Sequence, residues 1–164
     1  MKTEIEIDIE TQQLHLKGGD DKRTYRISSA KNGVGEQYGS EQTPRGIHII
    51  RAKIGADSPI NSVFIARRPT GEIFSETLRK QHPERDWILT RILWLSGQEV
   101  GHNRLGRVDT MRRYIYIHGS PDDDQMGVPS SHGCIKMANH DLIELFELVE
   151  VGTPVTIMEQ TVCP

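Results

Sequence analysis

The sequence predicts a mostly β domain with one packed helix near its C-terminus. Its first residues alternate isoleucine with acidic side chains, short β-branched segments recur between turn residues, and one late segment alone repeats its apolar residues at helical spacing.

Ile5, Ile7 and Ile9 alternate with Glu6, Asp8 and Glu10, the period-two pattern of a strand with one buried face. Leu14-His15-Leu16 forms a second short strand, Lys17-Gly18-Gly19-Asp20-Asp21 a turn, and Thr24 to Ser28 resumes alternation, giving a β-meander. An irregular stretch from Asn32 through Gly39 to Thr43-Pro44-Arg45-Gly46 leads into a strand at Ile47–Ile50, and Val63–Ala66 adds another. The run from Trp87 to Leu95 fits a buried strand or helix by periodicity and is assigned as a strand. Tyr114-Ile115-Tyr116-Ile117 is a strand of aromatic and β-branched residues ending at His118-Gly119. Asn139 is placed as the N-cap of the helix, with Asp141 in its first turn and Leu142, Ile143, Leu145, Phe146 and Val149 on its apolar face. Pro154–Met158 is the final strand, and residues 1–164 are read as one domain without repeats or linkers.

Hydrophobic residues make up 35% and charged residues 26% of the 164, the balance of a soluble globular chain. The formal charge is -3 with Lys and Arg dispersed, which argues against a nucleic-acid partner. No run is long enough for a membrane span, and Met1-Lys2-Thr3-Glu4 lacks the apolar core of an export signal, so a cytoplasmic location is expected. Nothing in the sequence speaks to oligomeric state. Of the two cysteines, Cys163 reads as a tail residue and Cys134 lies in a Gly-bearing turn.

That turn carries the chemistry. His118-Gly119-Ser120 ends a strand, and Ser131-His132-Gly133-Cys134-Ile135-Lys136-Met137 follows it. A thiolate is the reactive form of cysteine, and an imidazole can take and hold its proton. Gly133 permits a tight backbone beside the sulfur, so the amides of His132, Gly133 and Cys134 are candidate oxyanion donors. A zinc site on His118, His132 and Cys134 is the rival, disfavoured because no paired ligand spacing accompanies them, and no metal or cofactor is expected. A calcium loop starting at Asp122 would put Met126 and Gly133 at ligand positions, so Asp122-Asp123-Asp124 is read as a solvated loop. Ser120, Ser130 and Ser131 lack a Gly-x-Ser-x-Gly elbow, and His48, His82, His102 and His140 are read as surface or satisfied core residues.

Arg113 to Ser120 together with Ser131 to Met137 resembles the signature of the YkuD-type L,D-transpeptidase family. Ile7-Asp8, Gln13-Leu14, Thr43-Pro44-Arg45-Gly46 and Gly152-Thr153-Pro154-Val155 extend the resemblance over roughly the whole chain. It implies a β-sandwich-like catalytic domain that attacks the bond between the third residue of a peptidoglycan stem, commonly meso-diaminopimelate, and a terminal D-alanine. By matching position, Cys134 would be the nucleophile, His118 the base and the Gly119 carbonyl the group orienting the imidazole, with Ser131 and His132 shaping the turn and Ser131 also a candidate substrate-binding residue. Lys136 stands where the family usually has Arg, and Arg45 where Thr is common.

The implied thioester can pass to water, as in an L,D-carboxypeptidase, or to an amine, as in a transpeptidase forming 3-3 cross-links; a muropeptide-binding sensor is a third reading. The N-terminus favours a cytoplasmic carboxypeptidase that trims recycled tetrapeptides, with stem peptides or muropeptides as partners. Arg112, Arg113 and Lys136 are candidate contacts for their carboxylates, Arg113 foremost because it begins the strand that delivers His118.

Overall fold

The computed structural model describes residues 2–20 and 22–159, so Cys163 lies outside the described residues. The opening alternation becomes β1 (Glu4–Asp8), β2 (Gln13–Lys17) and β3 (Arg23–Ser28). β1 and β2 pair antiparallel with Ile5 opposite Leu16 and Ile7 opposite Leu14, so all four apolar side chains enter the core on one face. The remaining elements are β4 (Gly46–Ile54), β5 (Ser62–Ile65), β6 (Arg68–Ile73), α1 (Glu76–Gln81), β7 (Ile88–Gly97), β8 (Tyr116–Gly119), β9 (Ile135–Met137), α2 (Asn139–Leu148) and β10 (Pro154–Met158).

The mostly β fold with one main helix is thus the observed one. Hydrogen bonding runs β4-β10-β1-β2-β3-β9-β8-β7, and β7 pairs again with β4, so these eight strands close a ring. β5 and β6 form a hairpin attached to the first residues of β7. One apolar cluster takes residues from every strand of the ring together with Leu142, Leu145, Phe146 and Val149 from α2 and the residue after it. β7 explains its own ambiguity in sequence: paired with β8 on one side and with β4 and β5 on the other, it is buried continuously from Leu89 to Leu93 and shows no alternation.

Several boundaries differ from expectation. β8 begins at Tyr116, because Tyr114 adopts a left-handed backbone (φ 56°) and turns the chain before the strand. Arg113 therefore precedes that turn and does not begin the strand. Ala66 (φ 49°) and Arg67 (φ 65°) form the two-residue connection from β5 to β6 and are not strand. β6 reads Arg-Pro-Thr-Gly-Glu-Ile and is largely exposed, and α1 buries no residue, so neither leaves an apolar period in the sequence. α1 is instead marked by its N-cap, Ser75 Oγ accepting from Leu78 N at 3.1 Å. The N-cap of α2 is Ala138, one residue before the expected Asn139, whose side chain turns into the core. No helix among the described residues is long and apolar enough to cross a membrane.

Candidate active site

β8 and β9 pair in parallel, with Ile117 opposite Ile135 and His118 opposite Lys136. That register sets Cys134, one residue before β9, against the start of β8. The left-handed turn at Tyr114 then directs two backbone groups at the sulfur: Tyr116 N donates to Cys134 Sγ at 3.2 Å, and the thiol donates to Tyr114 O at 3.4 Å. Cys134 and His118 line one cavity of about 460 Å³, together with Ser131, His132, Arg113 and Tyr116.

His118 is buried, and its Nδ1 lies 2.7 Å from Gly119 O. A carbonyl only accepts, so Nδ1 carries the proton and Nε2 keeps a free lone pair. Burial pulls the imidazole below its ordinary pKa, opposed by the Gly119 carbonyl and Asp86 and assisted by Lys136. Burial also pushes the Cys134 thiol up to about 12, against the opposing Tyr116 amide. The resting pair is therefore a neutral thiol beside a neutral imidazole, without a hydrogen bond joining them.

Ser131 Oγ donates to Cys134 O at 2.5 Å and accepts from Gly133 N at 3.2 Å. The Gly133 amide is thus turned away from the oxyanion role expected of it. The amides of His132 and Cys134 meet no intramolecular acceptor among the described residues. Gly133 holds φ 136°, and its carbonyl accepts from Thr43 Oγ1 at 2.9 Å, while Ala30 N donates to the same hydroxyl at 3.0 Å. Thr43 therefore braces the cysteine turn from the irregular stretch before β4.

The basic residues distribute differently from expectation. Arg113 reaches the cavity, but its guanidinium donates to Gly35 O, Ser40 Oγ and Gln42 O at 3.2, 3.3 and 2.6 Å, so it ties down the 35–42 stretch. Lys136 stays off the cavity wall, with Nζ 3.5 Å from Ser130 Oγ. Arg112 borders a second cavity of about 210 Å³ that shares Arg113, Tyr114, Ile115 and His132 with the first. Arg45 forks onto Glu36 at 2.9 and 3.2 Å. Asp123 and Asp124 bond Arg79 of α1 at 3.1 and 2.9 Å, so the triple-aspartate loop is anchored and not merely solvated. No cluster of three metal-ligating side chains occurs among the described residues.

Three residues near the cavity had no signal in the sequence. Arg67 and Asp86 enter its wall from the β5–β6 turn and the segment before β7, and His132 Nδ1 stands 3.8 Å from Asp86 Oδ2. Asn139 clasps the strand end behind His118, donating to Ser120 O at 2.8 Å and accepting from Thr90 Oγ1 at 2.6 Å. A Cβ at Gly119 would strike Asn139 Oδ1 and Leu89 O, which is why glycine follows the histidine.

The sequence profile of the L,D-transpeptidase catalytic domain (YkuD) matches residues 2–157. A relative in Escherichia coli K12, "Probable L,D-transpeptidase YbiS", is 40% identical over 119 residues, 67% of this chain and 36% of the relative. The chain thus spans about a third of that curated relative's length. Solved L,D-transpeptidases share the fold: one from Mycobacterium smegmatis has a TM-score of 0.55 at 18% identity, covering 96% of this chain and 58% of its own. One from Enterococcus faecium has a TM-score of 0.58 at 19% identity, covering 96% and 50%. With the profile match running from two residues before β1 into the last strand, this chain belongs to the L,D-transpeptidase catalytic domain family.

Proposed function

We propose that the chain is a cysteine acyl-enzyme that cleaves the bond between the third residue of a peptidoglycan stem and its terminal D-alanine. The observation that carries this reading is the placement of Cys134 and His118 on one cavity, with Nδ1 anchored on Gly119 O at 2.7 Å so that Nε2 is the proton acceptor. The S–H rotates from Tyr114 O to Nε2, the sulfur bonds to the carbonyl carbon as His118 takes the proton, and the oxyanion faces the His132 and Cys134 amides. The carbon–nitrogen bond then breaks, His118 returns its proton to the D-alanine amine, and a thioester on Cys134 remains. Because both groups rest neutral, the proton must pass from Cys134 to His118 within each turnover.

The second cavity favours an amine acceptor, since it adjoins the first through Arg113, Tyr114, Ile115 and His132. Hydrolysis is supported by the partial exposure of Cys134, which admits water to the thioester. L,D-carboxypeptidase action in cytoplasmic recycling is the proposal tied to that hydrolytic branch, since trimming fragments needs no second stem. Mass spectrometry of a disaccharide tetrapeptide reaction, with and without an acceptor stem, tests both branches. Dimers mark a transpeptidase, and tripeptide with free D-alanine as the dominant products marks a carboxypeptidase. Release that survives Cys134→Ala would overturn the mechanism, and binding without release would make the protein a sensor. Fractionation of cells carrying the tagged full-length protein tests the location.

A further inference from the structure

Arg67 is a cation that the stem-peptide reaction as set out above leaves unused. It lines the same cavity as Cys134, and its one intramolecular hydrogen bond among the described residues goes to Tyr116 Oη at 3.0 Å. No carboxylate among the described residues pairs with it. Its position is nonetheless fixed: the guanidinium carbon lies 4.8 Å from the ring centroids of both Trp94 and Tyr114. Trp94 is itself held by Nε1–H to Met111 O at 3.1 Å, and Tyr116 is the residue whose amide bonds the Cys134 sulfur. The backbone beneath Arg67 is strained, because Ala66 and Arg67 both occupy the left-handed region that glycine or asparagine normally fills in a two-residue hairpin. The chain thus holds a guanidinium that pairs with no carboxylate among the described residues, at a conformational cost, in a cavity lined also by Asp86, Ile88 and Tyr116.

We propose that Arg67 is a specificity residue of this cavity, its guanidinium receiving a carboxylate of the peptide whose carbonyl Cys134 attacks. This rests on the stem-peptide reading. Ring contacts engage the face of a guanidinium and leave its N–H edge for a carboxylate, and partial burial strengthens that bond. Arg113, with its donors on Gly35, Ser40 and Gln42, is not the equivalent group. The carboxylate has two sources in a tetrapeptide, the terminus of the leaving D-alanine and the side chain of a third residue that carries one.

Binding separates them without turnover. Calorimetry of Cys134→Ala protein with the parent tetrapeptide, its C-terminal amide and its third-residue side-chain amide is compared with the same titrations of Cys134→Ala/Arg67→Gln. Arg67→Gln should weaken the parent roughly 10- to 100-fold, with Arg67→Lys restoring part of the loss. The amide of the carboxylate that Arg67 receives should bind weakly to both proteins and show no further loss with Arg67→Gln, whereas the other amide should follow the parent. Equal parent affinity in the two proteins, or an equal loss for all three peptides, would overturn the proposal. An unchanged near-ultraviolet dichroism spectrum verifies that the variant is folded. An Arg67-dependent carboxylate signal with no D-alanine release by the unmutated protein would leave Arg67 in place and overturn the reaction, whereas no binding of any peptide would overturn both.

Discussion

Asn139→Ala should destabilise the fold by about 3–5 kcal/mol while leaving it the majority state at room temperature. The two N–H groups of the carboxamide are shared among Ser120 O at 2.8 Å, Asp122 Oδ1 at 3.0 Å and Asn61 Oδ1 at 3.1 Å, and its oxygen accepts from Thr90 Oγ1 at 2.6 Å. The Ser120 and Thr90 bonds are buried, so truncation strands a carbonyl and a hydroxyl at about 1–3 kcal/mol each. Asn61 and Asp122 sit at partly buried contacts, can turn toward water and contribute the smaller remainder. Urea unfolding reports the change as a lower midpoint at constant slope. Thr90→Val strands the other end of the same bond, so the double variant should lose less than the sum, with a coupling of about 1 kcal/mol or more. Because the clasp grips the peptide next to Gly119, D-alanine release should fall about tenfold or more as the His118 anchor loosens. A stability loss under about 1 kcal/mol, or strict additivity with Thr90→Val, would refute the reasoning.

The burial that pushes the Cys134 thiol up to about 12 predicts that its alkylation by iodoacetamide climbs about tenfold per pH unit from 7 to 10; a plateau near the ordinary thiol value of about 8.5 would contradict that upward shift. His48 is buried between Gly46 O at 3.0 Å and Thr110 Oγ1 at 2.9 Å, and burial lowers its pKa to about 4. The unfolded chain takes up that proton first, so stability complete above about 6.5 should fall by about 3 kcal/mol as pH drops toward about 4, and His48→Gln should flatten the decline in urea midpoints over that window. Thr43→Val leaves Gly133 O and Ala30 N without their shared partner and should cost about 2–4 kcal/mol by thermal unfolding, with a larger proportional loss in kcat than in substrate affinity.

The legible parts of this chain are those in which one residue's chemistry or one face's burial decides the outcome. Ile5 and Ile7 announce a strand because one side of it is dry, and Cys134 after Gly133 announces a reactive turn because few other roles need that pair. The resemblance to the family signature also implied the substrate class now proposed. Asn139 was illegible because an asparagine before a helix has an ordinary capping role, and only the fold brings Thr90, Ser120 and Asp122 around it. Arg67 was hidden by its position in a hairpin without alternation, and Arg113 misled because its loop partners lie more than seventy residues away in sequence. Tyr114 completed a β-branched and aromatic run, yet the bonds that hold the sulfur require it to turn out of the strand.

The insertion of β10 between β1 and β4 has a temporal consequence. Residues from the two extremes of the described chain lie side by side in parallel, Ile5 against Val155 and Ile7 against Ile157, so this seam is among the longest loops the chain must close. Until it forms, β1 and β4 each present a bare hydrogen-bonding margin. A chain growing from its N-terminus can assemble the β1–β3 meander early, because those contacts are local, but must wait for its last strand to seal the barrel. The strands β8 and β9 that flank the cysteine turn are already synthesised by then, so the ring closes only after the elements lining the cavity have emerged.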